Sequence, residues 1–349
     1  MFAVEGVTYD WTDVVLAAAL WGNWEALERR VTGGLACRSG ASDGGADADA
    51  DTLRRRAKEF RQRRGLLSAD EMQAWLLRWH LTSAAWMDYL RRAQLRDAAE
   101  ADGAPQPPTT PPPAEEAVIA AAMHAEAVCS GRLEAWAKKL AGRAAVGAEM
   151  ATRADRPTDA SASGEAGDPG ASDSATTGRG LPATTPDDRR ARSSRLHALE
   201  GSFERYRQSV VTPEAIEAEV RAKLVEWVRL DCEYVTVPDD DAAREVAISL
   251  RRGERSIEEL SGAAGVPLQR RSLRLDAVSP DLGAALVSAR PGDVLGPMRS
   301  DHGFLVLKVL SKTEPSADEP ETREAAGRLV LDRAVQHLVN ERVVWLDRF

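Results

Sequence analysis

The sequence has little cysteine, no long apolar run and no excess of positive charge, and each lack removes a class of protein. Three cysteines, Cys37, Cys129 and Cys232, stand far apart in 349 residues. An odd, scattered set does not make a disulfide framework. His124, Glu126 and Cys129 share one helical stretch, but their i, i+2, i+5 spacing is poor for ligation, so neither a metal nor a cofactor is expected. Nothing approaches the ~18 unbroken apolar residues of a bilayer span. The first residues lack the basic, apolar and small-residue pattern of a secretory signal. A cytoplasmic protein without membrane contact is therefore expected. A net charge of −9 gives no general attraction to nucleic acid. The basic runs at 54–56 and 61–64 lie beside acidic or apolar residues and read as solvated helix faces.

What is present divides into blocks. Residues 101–114 (ADGAPQPPTTPPPA) are proline-rich and read as an extended linker. Residues 151–190 are Ser, Thr, Gly, Ala and Asp with almost no large apolar side chain, a composition that cannot offset its ordering entropy and reads as disordered. A smaller stretch of this kind, 39–51, reads as a flexible insertion within an N-terminal helical domain, 1–100. There Ser68 and Glu71 form a capping box, followed by Met72, Trp75, Leu76 and Trp79 at helical spacing. Six of the nine tryptophans fall in this block, Trp11, Trp21, Trp24, Trp75, Trp79 and Trp86, and read as core packing before a peptide groove. Residues 115–150 and 191–230 read as helical. In the second, Thr212 and Pro213 start an apolar stripe of Ile216, Val220, Leu224 and Trp227 that predicts a helix to about residue 230. Residues 315–349 carry a further amphipathic helix, with Leu331, Val335, Leu338 and Leu346 on one side. A stripe of that kind must dock, and the N-terminal helices are its expected partner.

Residues 231–314 change character. EYVTV (233–237) is short and β-branched, a strand by propensity. A helix follows from Ala242 to a stop at Gly253, and Ser256 with Glu259 caps a second. Residues 272–275 alternate like a strand, 280–289 read as a helix, and 294–298 and 304–309 read as strands joined by a turn at 300–303. The order β-α-α-β-α-β-β in so short a span is a small α+β unit.

The stretches AAREVA (242–247), IEEL (257–260), PGDVLGP (291–297) and SDHGFLVLK (300–308) make this unit similar to a parvulin-type, PpiC-like peptidyl-prolyl isomerase domain. The flanking helices resemble the layout of SurA-type chaperones. The fold class so implied is α+β: a four-stranded parvulin-like sheet domain carried on a mainly α-helical, SurA-like module. The resemblance also implies where the chemistry would sit. Its two active-site histidines fall on Tyr234 and Leu305, and its Cys or Asp falls near Val266 or Pro267. The glycine-rich loop that follows in the family is largely missing. A degenerate active site is implied. Tyr234, Val278, Leu282, His302 and Phe304 are the positions expected to contact peptide, with Val278, Leu282 and Phe304 lining one hollow. An acidic run, 238–241, stands where phosphate-selecting members carry basic residues. Arg270, Arg271 and Arg274 read as solvated surface or as an edge for an acidic peptide.

The expected function is a peptide-binding, chaperone-like protein whose partner is an extended or unfolded polypeptide, with a precursor peptide of ribosomal-peptide maturation as one candidate client. An active peptidyl-prolyl cis-trans isomerase is the alternative, and a cleft rebuilt for peptide modification the third reading. No nucleic-acid partner is expected.

Overall fold

The computed structural model describes residues 1–44, 49–101, 116–155 and 185–346. The chain divides into two compact units, one formed by Met1–Tyr206 with Val335–Phe349 and the other by Arg207–Ala334.

The first unit begins with two short strands, β1 (Phe2–Val4) and β2 (Val7–Tyr9), followed by α1 (Trp11–Leu20), α2 (Asn23–Gly44), α3 (Ala50–Arg63), α4 (Ala69–Arg78), α5 (Ser83–Ala101), α6 (Glu116–Cys129), α7 (Arg132–Ala154) and most of α8 (Pro186–Val210). The expected capping box holds α4: Ser68 N–H donates to Glu71 Oε2 at 2.8 Å, and Glu71 N–H donates to Ser68 Oγ at 3.1 Å. A second box starts α1 through Asp10 and Asp13. The tryptophans pack into or against one core with Phe2, Leu27, Phe60, Leu133 and Leu140. Small side chains, Ala125, Ala127, Ala137, Ala141 and Ala144, are almost fully buried along α6 and α7, which lets backbones approach closely.

Most of the 101–114 and 151–190 stretches lies outside the described residues. Within the described parts, Ala151–Ala154 still belong to α7, and α8 starts at Pro186. That start has a local cause: Thr185 Oγ1 accepts from Asp188 N–H at 3.2 Å, with proline in the first turn. Likewise α2 runs on to Gly44 and α3 begins at Ala50, so of the 39–51 insertion only 45–48 are outside the described residues.

The second unit holds α9 (Pro213–Ala222), β3 (Arg229–Val237), α10 (Asp240–Arg252), α11 (Ile257–Ala264), β4 (Gln269–Arg274), a 3₁₀ turn (Leu275–Ala277), α12 (Pro280–Ser288), β5 (Val294–Ser300), β6 (Gly303–Thr313) and most of α13 (Pro320–Arg342). The expected order is the observed one. The four strands form one antiparallel sheet ordered β4-β3-β6-β5, and the fold class is α+β.

Three expectations need correction. The helix read to residue 230 stops at Ala222. The carbonyls of Glu226 and Val228 accept from Asp276 and Leu275 at 2.9 and 3.2 Å, so bonds to the 3₁₀ turn that follows β4 hold this segment in place of a helix. Trp227 still packs with Val220 and Ala326, while Leu224 and Val225 face solvent. The C-terminal helix ends at Arg342, and its continuation is a strand, β7 (Val343–Trp345), paired with β1. Leu346 is accordingly exposed rather than part of the apolar side. The three-stranded sheet β2-β1-β7 was not foreseen at all.

Candidate functional site

The sheet of the second unit separates two apolar layers, because alternate residues of a strand face opposite ways. On one face Val235, Val237 and Val306 pack with Ala243, Val246, Ala247 and Leu250 of α10 and Ile257 and Leu260 of α11. On the other face Leu230, Cys232, Leu307 and Val309 pack with Leu286 of α12. Around this second core, partly buried, stand Tyr234, Leu273, Leu275, Val278, Leu282 and Leu295. They form the rim of an apolar surface with α12 along it.

Three of the expected peptide-contacting residues, Tyr234, Val278 and Leu282, are thus brought together. Phe304 is not with them. It joins the α10–α11 layer beside Val235 and Val306, so the single hollow expected of Val278, Leu282 and Phe304 does not exist. The reason is register: Phe304 pairs with Val237, and Leu305 pairs with Thr236, which turns Leu305 toward the face of Leu307 and Phe304 away from it. His302 is exposed in the turn between β5 and β6.

The turn explains the His-Gly-Phe sequence. Gly303 has φ +131°, and a Cβ there would lie 2.5 Å from the Val237 carbonyl oxygen. Only glycine lets β6 enter the sheet this close to the end of β3.

At the positions where the family resemblance implies paired imidazoles, the chemistry is different. The Tyr234 hydroxyl donates to Gln269 Oε1 on the neighbouring strand β4. Leu305 offers neither donor nor acceptor. Val266 packs against the α10–α11 layer, and α11 reaches β4 within a few residues, leaving no room for a glycine-rich loop. Cys232 lies beneath the apolar face, and burial, with the Asp231 carboxylate adding to it, pushes its thiol up to about 11. It is no nucleophile at neutral pH. Among the described residues no group of three or more His, Cys, Asp or Glu side chains is arranged to hold a metal ion.

The acidic run at 238–241 has a structural cause. Asp239 caps α10, accepting from Ala242 N–H at 2.9 Å, and Asp240 and Asp241 lie in its first turn, where negative charge suits the helix dipole. Along β4, an edge strand, Arg270 reaches Glu233 at 2.5 Å and Glu258 at 3.0 Å, and Arg274 reaches Asp276 at 2.8 Å. Two of the three arginines are therefore already paired within the unit. Among the described residues no helix is long and apolar enough to cross a membrane.

No family model matches the sequence, and no curated protein does either. Solved structures give partial matches. A peptidylprolyl isomerase, PrsA, from Bacillus anthracis is 16% identical over 43% of this chain and 70% of its own, with a TM-score of 0.22. PrsA from Bacillus cereus is 14% identical over 45% of this chain and 62% of its own, with a TM-score of 0.27. A structure from Campylobacter jejuni, reported with PEB4 and Cj1289 as SurA-like chaperones, is 10% identical over 47% of this chain and 67% of its own, with a TM-score of 0.20. Likeness at this level assigns no activity to this chain. What the second unit itself shows is the β-α-α-β-α-β-β order and one antiparallel four-stranded sheet.

Proposed function

We propose that this chain is a peptide-binding, chaperone-like protein, in which the parvulin-like unit serves as a recognition surface with weak or absent isomerase activity. The observation that carries this reading is the apolar rim of Tyr234, Val278 and Leu282 over the α12 face, combined with a leucine at one of the two imidazole positions. A surface of this kind desolvates a prolyl-containing segment but holds no titratable pair beside it. The client is an extended polypeptide. A precursor peptide of ribosomal-peptide maturation, met in the cytoplasm, is the specific form proposed.

An active isomerase is the second reading, favoured by the Tyr234 hydroxyl, a polar group held at the edge of the apolar rim by Gln269. Rotation about the imide has a barrier of ~18–20 kcal/mol and needs no covalent step, so a well-placed hydroxyl could lower it. NMR exchange on Xaa-Pro peptides separates the two. Saturable binding of an unfolded polypeptide without faster cis-trans exchange is expected. Exchange accelerated by the protein and lost in Tyr234→Phe would establish the isomerase instead.

A further inference from the structure

Between α3 and α5 of the first unit lies a cleft of about 380 Å³, lined by Ala57, Leu66, Leu67 and Trp86 and rimmed by Arg54, Lys58 and Arg61. Three independent features single it out. Leu67 is 76% exposed, yet its backbone is fixed at both ends. Its N–H donates to Glu71 Oε2 at 2.8 Å, and its carbonyl accepts from Arg61 Nη2 at 3.0 Å. A leucine held rigidly outward has already lost the backbone freedom that binding would otherwise remove. Trp86, 9% exposed, lines the same cleft, and its indole N–H has no acceptor among the described residues. Finally the rim is cationic. Lys58 is exposed, and the one carboxylate that Arg54 meets among the described residues, Asp51, is itself 85% exposed, a pairing too solvated to neutralise the site.

We infer that this cleft binds an acidic, apolar segment of a polypeptide partner, with Leu67 and Trp86 meeting its apolar side chains and Arg54 and Lys58 its carboxylates. The inference rests on the peptide-binding reading above and adds the charge of the client and a second contact region. The whole chain is acidic, but at the cleft Arg54, Lys58 and Arg61 outnumber the Asp51 and Glu71 carboxylates beside them, and within about 8–10 Å, where charges act through salt, that local excess sets the sign.

The test uses the full chain and two fluorescein-labelled peptides with the same leucine-rich centre, one flanked by aspartates and one by lysines, read by anisotropy. The aspartate peptide should bind roughly tenfold more tightly at low salt, and the preference should shrink at high salt. The double variant R54E/K58E, both exposed positions, should erase or reverse the preference while circular dichroism stays unchanged. Leu67→Ala should weaken both peptides. Equal binding of the two peptides, or a preference untouched by R54E/K58E, would overturn the charge assignment and leave peptide binding intact. Binding of neither peptide would sink the peptide-binding reading together with this one. A labelled single-stranded oligonucleotide that binds more tightly than the aspartate peptide, and loses affinity in R54E/K58E, would make the rim a nucleic-acid surface and overturn the proposal.

Discussion

Tyr234 and Phe304 stand on adjacent strands, β3 and β6, and project from opposite faces of the sheet they share. The two residues should therefore answer mutation in different ways. Leu282→Ala, on the Tyr234 face, is expected to weaken client binding by about fivefold or more. Phe304→Ala should leave the client affinity of folded protein unchanged and cost the second unit about 2 kcal/mol, less than a fully buried phenylalanine. Urea unfolding and anisotropy on the same preparations check both. A matching loss of affinity in the two variants would contradict the assignment of faces.

Glu126 is completely buried and is met by Arg30 Nε at 2.9 Å and Arg96 Nη2 at 3.4 Å. Glu126→Gln leaves Arg96, itself buried, without a counter-charge. The first unit should lose about 3–5 kcal/mol, as broken buried pairs do. Replacing both partners, Glu126→Leu with Arg96→Met, should cost less than the single change, because Arg30 is 37% exposed and can turn to water. Thermal unfolding of the three proteins decides it.

Acid should loosen the start of α1. Burial pushes the Asp10 carboxyl up, but the hydrogen bond from Asp13 N–H and the Arg192 guanidinium outweigh it, holding the group below its ordinary 3.8. A carboxyl depressed in the native state contributes stability above its unfolded value, and that contribution is lost as pH falls through 3.8 toward the folded value. Urea midpoints between about pH 6 and pH 3 should fall less steeply in Asp10→Asn than in the parent. Parallel slopes would remove Asp10 from the acid response.

The thiols should separate cleanly. Burial pushes Cys129 up to about 12 and Cys232 up to about 11, and both side chains are buried, whereas Cys37 is half-buried. Ellman's reagent at neutral pH should modify Cys37 alone in the native protein and all three after denaturation. Peptide mapping identifies the modified residue.

The second unit was legible because its signals are local. Ser256 with Glu259, the stop at Gly253 and the turn into Gly303 each fix a boundary from a few residues. The positions Tyr234, Val278 and Leu282 came from the resemblance to parvulins, not from those boundaries. Phe304 was misplaced because a one-residue difference in strand position exchanges faces, and register is set by pairing with β3 rather than by composition. The strands β1 and β7 were illegible for a related reason. Each is three residues long, and their partners lie at opposite ends of the chain. The cleft beside Trp86 was hidden too: basic runs and an exposed leucine look ordinary until Arg61 and Glu71 are seen to hold Leu67 outward.

The pairing of Phe2 with Trp345 bears on how the molecule is made. A ribosome releases residues 207–334 in one continuous piece, so the second unit can form during synthesis. The helical unit waits for its final strand, and until then β1 has one side open to any passing strand. Newborn copies of this chain are thus exposed, at one sheet edge, to the sort of misassociation that chaperones restrain.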